Sequence, residues 1–327
     1  MTLSKLAEQL GVSISTVSKA FSGSREISEP VRERIFAAAK QLGCFDKYYK
    51  APRTRPMIAL LIPEPESIRY SREMGFLERA FSARGADTVV AFTRFDPQKE
   101  AQLFRELVYG MKVDGVVLWG RGKEIQNPDG HPLVILEGKN AAPQNADTVF
   151  IDHEAGQKAL AETLKAQGYK HVGFLGESRT HGTEARLKDE MRRVGLPIHD
   201  KFFFASAHRF EAAGEDGMRT LIARDAVPDV IVAAYNEIAY GAIMEARAQG
   251  YRVPEDVSFV CALDTPSAFC FDMPLSSLVI ELEDVCEEIV SLLLSRIENK
   301  YYQPPKEIKI PVRFHAHASL LRKKDET

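Results

Sequence analysis

At 327 residues, 45% of them hydrophobic and 27% charged, the chain is too long for one small domain and suits two or three of ordinary globular composition. No segment approaches ~18 uninterrupted apolar residues, so no transmembrane helix is expected. The net charge of −3 hides a split: residues 1–56 hold ten Lys/Arg against five Asp/Glu, and the remainder 33 against 41. A basic head on an acidic body is what a nucleic-acid-binding head shows. Thr2 to Gly11 is amphipathic, without the apolar core of a secretion signal, so a cytoplasmic protein is expected. Cys44, Cys261, Cys270 and Cys286 lack C-x-x-C spacing, which argues against a zinc ribbon or a redox pair and for buried free thiols.

Leu3, Leu6, Ala7 and Leu10 fall at i, i+3, i+4 and i+7, the apolar stripe of a short helix opened by Thr2 as N-cap. Gly11 supplies the left-handed residue that ends it. Ser13 caps a second helix whose buried side is Val17, Ala20 and Phe21. On that helix Ser15, Ser18, Lys19 and Ser22 lie within an arc of about 100°, opposite the buried side. Two helices meeting across a short Gly-containing turn read as a helix-turn-helix, and small hydroxyls with one cation suit phosphates and base edges.

The wording LAEQLGVSISTVSKAFSG followed by ISEPVRERIFAAAKQLG resembles the DNA-binding headpiece of the lactose-repressor (LacI) family of bacterial regulators. Val12-Ser13, Ser15-Thr16-Val17-Ser18-Lys19 and Gly23 match its usual pattern, as do Ser28-Glu29, Arg32-Glu33-Arg34 and Leu42-Gly43. The resemblance implies that Ile14, Ser15 and Lys19 read bases: Lys19 donates to guanine and Ile14 contacts a thymine methyl. Ser13, Thr16 and Ser18 then fix register on phosphates.

In chain order, Ser28 opens a third helix with Pro30 in its first turn, a position proline tolerates. Its stripe is Val31, Ile35, Ala38, Ala39 and Leu42, and Gly43 ends it. Residues 1–45 thus form a headpiece. Residues 46–56 form a basic, proline-containing linker without periodicity, with phosphate contacts expected from Lys47, Lys50, Arg53 and Arg55. The family usually has a hinge helix here whose leucine enters the minor groove. This chain has no such leucine, and Pro52 would break a helix. Tyr48 or Tyr49 is the alternative wedge.

From Met57 the pattern becomes short strands alternating with helices. Strands are expected at Met57–Ile62, Asp87–Phe92, Gly115–Trp119 and Leu133–Leu136, then at Val172–Leu175, Phe202–Ala205, Val230–Ala233 and Ser258–Ala262. The intervening helices are Arg72–Ala83, Lys99–Met111, Glu154–Gln167, Ala185–Val194, Ala212–Arg224 and Ile238–Gln249. Such alternation means parallel sheets covered on both faces, here twice, with a seam near Asp152. The fold class is therefore an all-α helix-turn-helix headpiece joined to two doubly wound α/β lobes, and the second half resembles a periplasmic sugar-binding protein. A helix at Val285–Leu294 and an alternating strand at Ile308–Phe314 follow. By analogy with the family, residues 57–151 and 279–303 make the first lobe, and 152–278 and 304–327 the second. No leucine heptads follow His317, so a tetramerising helix is not expected.

Ligands of open parallel sheets bind beyond the carboxyl ends of the strands. The lining is expected from 63–68, 119–122, 137–140, Asp152, 176–183, 205–210, 234–237 and 263–265. Trp119 and Phe210 would stack on a sugar face, and Asp152, Asn236, Glu237 and Asp264 would bind hydroxyls. Arg179 and Arg186 compete for an anion or a sugar oxygen. The family resemblance returns at Ala234-Tyr235-Asn236-Glu237 and at Val253-Pro254-Glu255-Asp256-Val257-Ser258, with Asn236 at an effector-contacting position. Leu263 stands where relatives carry an acid, which counts against an ordinary free sugar.

Catalytic signatures are missing. There is no G-x-G-x-x-G at the first strand, no G-x-x-x-x-G-K-[ST] and no G-x-S-x-G. His315 and His317 share a strand face without acids or thiols, and the other histidines read as surface or capping groups. No cofactor, no metal and no enzyme activity are expected. The sequence points to a homodimeric transcriptional regulator that binds a two-fold double-stranded DNA operator under control of a small-molecule effector, without membrane association. The alternative is a solute-binding protein with no DNA role, which leaves residues 1–56 unexplained.

Overall fold

The computed structural model describes residues 2–24, 26–49, 54–137, 142–143, 145–264, 273–299 and 303–320, without the side chains of Asp46 and Asp264. The chain divides into two compact units, Met1–Pro56 and Met57–Thr327.

The first unit carries α1 (Leu3–Leu10), α2 (Ile14–Phe21), α3 (Glu29–Gln41) and α4 (Phe45–Tyr48). Capping fixes the first two. Thr2 Oγ1 accepts from the Lys5 amide at 3.3 Å, Gly11 closes α1 at φ 66°, and Ser13 Oγ accepts from the Thr16 amide at 3.0 Å. Ser28 precedes α3 without a side-chain cap bond, and Pro30 sits in the first turn. Leu6, Val17, Ala20, Phe21, Ile35 and Ala39 are buried together.

The linker expectation changes at its start. Phe45–Tyr48 forms one helical turn, and its rings join an aromatic cluster with Phe21 and Phe36. Phe45 stacks on Tyr49 at 4.6 Å, Phe36 meets Tyr49 edge-on at 5.0 Å, and Tyr48 lies 5.9 Å from Phe21. Such pairs contribute about 0.5–1.5 kcal/mol each beyond burial, which suits a small core short of apolar area. Both tyrosines offered as groove wedges are thus part of the headpiece packing. Lys50 and Arg53 lie outside the described residues.

The second unit begins with β1 (Met57–Ile62), α5 (Ile68–Ala83), β2 (Asp87–Phe92), α6 (Pro97–Arg105), β3 (Gly115–Trp119), β4 (Leu133–Leu136) and β5 (Asp147–Asp152). It continues through α7 (Glu154–Ala166), β6 (Val172–Glu177), α8 (His181–Val194), β7 (Phe203–Ser206), α9 (Phe210–Ala223), β8 (Val230–Ala233), α10 (Asn236–Ala248), β9 (Ser258–Asp264) and β10 (Ser276–Val279). It ends with α11 (Leu282–Glu298), β11 (Glu307–Pro311) and β12 (Arg313–His315).

Two six-stranded sheets result, ordered β11-β5-β4-β3-β1-β2 and β12-β10-β9-β8-β6-β7. All pairings are parallel except β10 with β12. The continuous apolar runs of β1 and β3 are what a strand covered on both faces requires. Ile58, Leu60 and Ile62 pack in one cluster with Leu77 and Phe81 of α5, while Ala59 and Leu61 pack in another with Phe104 of α6. In the second lobe α9 and α10 approach so closely that a Cβ on Gly214 would lie 2.1 Å from the Ile238 carbonyl oxygen, and one on Gly241 2.0 Å from that of Glu211. Glycine is required at both positions.

The strand expected over Ile308–Phe314 divides at Val312. Residues 307–311 pair with β5 in the first sheet, and only 313–315 reach β10 in the second. The assignment of everything after residue 303 to the second lobe is therefore corrected: β11 belongs to the first. Val312 donates its amide to Asp152 O at 2.9 Å, so two of the lobe crossings run side by side. The first-lobe edge is tied by Arg296 of α11, which makes a two-pronged pair with Asp147 of β5 at 2.6 and 2.8 Å. The Lys306 amide adds a third donor to the same carboxylate at 2.7 Å.

Candidate functional site

A cleft of about 470 Å³ opens at the carboxyl ends of the strands of both sheets, a volume ordinary for a small-molecule site. The topology dictates the place. The strand order of each sheet reverses beside its first strand, and the loops after β1, β3, β6 and β8 diverge there. Lining residues include Arg69, Tyr70 and Glu137 from the first lobe, His153, and Arg179, Arg186, Arg209, Phe210, Tyr235, Asn236 and Glu237 from the second.

Two buried charge networks support the walls. In the first lobe Glu73, 1% exposed, accepts from Trp119 Nε1 at 2.5 Å and from Arg69 Nε at 2.9 Å. Arg69 also reaches Glu137 at 3.2 Å. Burial pushes the Glu73 carboxyl above its ordinary range, opposed by the Arg69 guanidinium. The other network crosses between lobes. Arg209, just before α9, donates both terminal nitrogens to Glu64, just after β1, at 2.5 and 2.7 Å. Its Nε lies 3.8 Å from Glu177.

Two further contacts join the lobes. The Ile68 amide donates to Glu237 Oε1 at 3.2 Å, and the Arg179 guanidinium stacks 3.8 Å above the Phe95 ring. Glu137 and Phe210 adopt left-handed φ values of 68° and 58°. Non-glycine residues held there concentrate at binding sites.

The expected cleft residues fare differently. Arg186, Phe210, Asn236 and Glu237 line it; Arg179 does too, so both competing arginines are present. Phe210 meets Tyr235 edge-on at 6.3 Å. Asn236 and Glu237, at 5% and 6% exposure, are sunk into the wall. Trp119 is corrected: at 2% exposure it is not a stacking surface but a donor to Glu73 beneath the floor. Asp152 is corrected as well. It lies off the lining, and its Oδ1 accepts from the Glu154 amide as α7 begins. The Asp264 side chain lies outside the described residues.

Sequence reasoning named the spans holding Glu64 and Arg209 but neither residue. It missed Arg69 and Glu73, and it read His153 as a surface or capping group. His153 lines the cleft with its Nδ1 buried and unpaired. Desolvation, then the charges of Arg186 and Arg69, draw its pKa down to about 4 against the pull of Asp152. The available signal was position, since Glu64 and Arg209 follow strand ends directly.

In the headpiece, α2 presents Ser15 and Ser18 exposed, Ile14 51% exposed and the Lys19 side chain 43% exposed, while Val17, Ala20 and Phe21 are buried. Ser13 and Thr16 share a hydroxyl hydrogen bond of 2.8 Å at the N-terminus of α2. Lys19 Nζ pairs with Glu26 at 2.5 Å. Lys47 is exposed, its ammonium 5.3 Å over the Tyr48 ring. Among the described residues no helix is long and apolar enough to cross a membrane, and no group of His, Cys, Asp or Glu is placed to hold a metal. Cys44, Cys261 and Cys286 are buried free thiols, and Cys270 lies outside the described residues.

A helix-turn-helix unit joined to a two-lobed α/β unit with a polar cleft defines the class of ligand-responsive DNA-binding regulators. Comparison with known proteins gives the family. The profile described as bacterial regulatory proteins, lacI family, matches residues 2–44, and that of a periplasmic binding protein-like domain matches residues 161–320. The chain is 24% identical over 322 residues to the HTH-type transcriptional regulator AscG of Escherichia coli (strain K12), covering 93% of this chain and 94% of that protein. It shares the fold of a CelR–cellobiose complex (24% identity, TM-score 0.68, 98% and 99% coverage). It also shares that of a lac repressor dimer bound to operator and the anti-inducer ONPF (18% identity, TM-score 0.67, 98% of each chain). The chain belongs to the LacI family of DNA-binding transcriptional regulators. Its relatives are regulators, not enzymes.

Proposed function

We propose that this regulator is a cytoplasmic homodimeric repressor whose affinity for a two-fold operator is set by a small molecule, a sugar or sugar derivative, held in the cleft. The observation that carries the DNA half is the exposed face of α2, where Ile14, Ser15, Ser18 and Lys19 face solvent and the opposite side is buried. Ile14, Ser15 and Lys19 contact base edges, and Ser13, Thr16 and Ser18 contact phosphates, with Lys47, Lys50 and Arg53 adding phosphate contacts from the linker. Two copies place two such helices in successive major grooves. The lac repressor dimer on its operator supports this arrangement by fold, and the cellobiose complex supports a saccharide-like ligand.

The sensing half rests on contacts that cross the cleft: Glu64 with Arg209 and Ile68 with Glu237. A ligand touching both lobes changes their mutual stability, and any difference in ligand affinity between lobe arrangements shifts operator affinity equally. Gel shift with the intact chain and with residues 57–327 is the direct test. Only the intact chain binds a two-fold site, and binding weakens steeply with salt through counterion release. Equal binding by both would return the chain to the solute-binding alternative. Lys19→Ala relaxes preference at one base pair by about 1–3 kcal/mol; uniform weakening on all sequences would make Lys19 a phosphate contact.

A further inference from the structure

The cleft's hydrogen-bonding groups divide unequally. Each described acid on its wall already lies against a protein cation or hydrogen-bond donor. Glu137 is paired with Arg69, Glu177 accepts from the Arg179 amide at 3.0 Å and from Ser178 Oγ at 3.1 Å, and Glu237 accepts from the Ile68 amide at 3.2 Å. The Asn236 carbonyl oxygen accepts from Cys261 Sγ at 2.9 Å. Two lining arginines are likewise occupied, Arg69 by Glu73 and Glu137 and Arg209 by Glu64.

Arg121, Arg179 and Arg186 differ. All three line the cleft, and among the described residues none has a carboxylate at ion-pair distance. Arg186 is held only by Thr183 Oγ1 at 3.2 Å, and Arg179 lies on the Phe95 ring. The buried Nδ1 of His153 has no partner beside them. A neutral polyol presents hydroxyls that both donate and accept, so it needs free acceptors on the wall. Among the described lining residues no carboxylate is left without a protein cation or donor beside it, while three guanidinium groups have no carboxylate. Leu263, also lining, offers no replacement.

We infer that the effector carries an anionic group, a phosphate or a carboxylate, received by Arg186 with Arg121 or Arg179, and that a neutral saccharide is not the preferred ligand. The inference rests on the reading of the cleft as the effector site. Guanidinium groups suit both anions because their planar donors match two oxygens at once. The rest of the ligand lies against Phe210 and Tyr235.

The test uses the full chain in thermal shift and calorimetry at constant ionic strength. The probes are glucose, glucose 6-phosphate, glucuronate and inorganic phosphate. At least one anionic probe raises the melting temperature and binds roughly tenfold or more tightly than glucose, as one charge-assisted contact implies. Glucose 6-phosphate against glucuronate distinguishes phosphate from carboxylate. Arg186→Gln, on the cleft mouth, lowers that affinity about tenfold while the unliganded melting temperature stays, and Arg84→Gln, which removes a solvent-exposed pair with Glu287 outside the cleft, changes neither. Glucose binding as tightly as its phosphate, silence from every anionic probe, or anion binding unchanged in Arg186→Gln overturns the inference. Failure of the regulatory reading looks different: an anion binds through Arg186, yet operator affinity in gel shift does not move.

Discussion

The two surfaces proposed for DNA and for the effector are assembled in opposite ways. The exposed face of α2 comes from one helix of eight residues, fixed by a cap three residues away and a buried side of Val17, Ala20 and Phe21. The cleft draws on residues from Ser67 to Leu263 and is crossed by the pair Glu64–Arg209, 145 residues apart, while the edge of the first lobe is tied by Asp147–Arg296, 149 apart. A local surface depends on propensity and capping. A composite one depends on tertiary ion pairs whose partners the backbone brings together, so the two fail for different reasons.

The largest effect that separates them is Arg296→Ala. Asp147 is 4% exposed and loses both side-chain donors, retaining only the Lys306 amide. Leaving such a carboxylate uncompensated costs about 3–5 kcal/mol. Trp119 is the chain's one tryptophan and is buried in the first lobe, so its fluorescence follows this unit. The urea midpoint read at Trp119 drops sharply; a change within ~0.5 kcal/mol would mean that water compensates Asp147 and that this long-range pair does not hold the first lobe.

A pH series is the second test. His153 has its folded pKa drawn down to about 4 from 6.5 by burial and by Arg186 and Arg69. The unfolded chain therefore takes up the proton first as pH falls, and stability declines from about pH 6.5 toward pH 4. His153→Asn removes that part of the slope at Trp119. An unaltered slope would place the responsible groups elsewhere.

This contrast also explains what the sequence disclosed. The headpiece helices, their Thr2 and Ser13 caps and the Gly11 turn were legible because each signal spans four residues or fewer. The apolar runs of β1, β3 and β4 were legible for the same reason. The strands β5 and β10 were not. Asp147–Asp152 is bounded by acids, and Ser276 and Ser277 are buried hydroxyls that no strand pattern flags until Ser319 Oγ meets the Ser276 amide at 2.7 Å. In the cleft, strand ends pointed to loops that line it, among them those carrying Arg186, Phe210, Asn236 and Glu237. Trp119 was misplaced because an aromatic at a strand end looks like a ligand platform until a buried acid is found behind it. Nothing in the spacing of Arg69, Glu73, Glu64 and Arg209 announces that they form two networks.

On the local side the effects are smaller. Ser13→Ala removes the α2 cap and costs about 1 kcal/mol, measured as headpiece helicity by far-UV circular dichroism against urea. The midpoint at Trp119 stays where it is. A shift of that midpoint by as much as the headpiece loses would end the separation of local from long-range control.

The smallest stability effect belongs to Glu26→Ala, and it is informative because its two readouts point in opposite directions. The pair Lys19–Glu26 is solvent-exposed, with side chains 43% and 69% accessible, so its loss changes stability by ~0.5 kcal/mol or less. DNA affinity behaves differently. Glu26 holds the ammonium assigned to base reading and adds a negative charge beside it, so its removal frees Lys19 and lowers repulsion from the duplex. The variant binds its operator more tightly than the parent at low salt, and the gain shrinks as salt screens the charge. Weaker operator binding with unchanged stability would instead make Glu26 part of the readout, its carboxylate accepting from a cytosine amino group beside the guanine that Lys19 contacts.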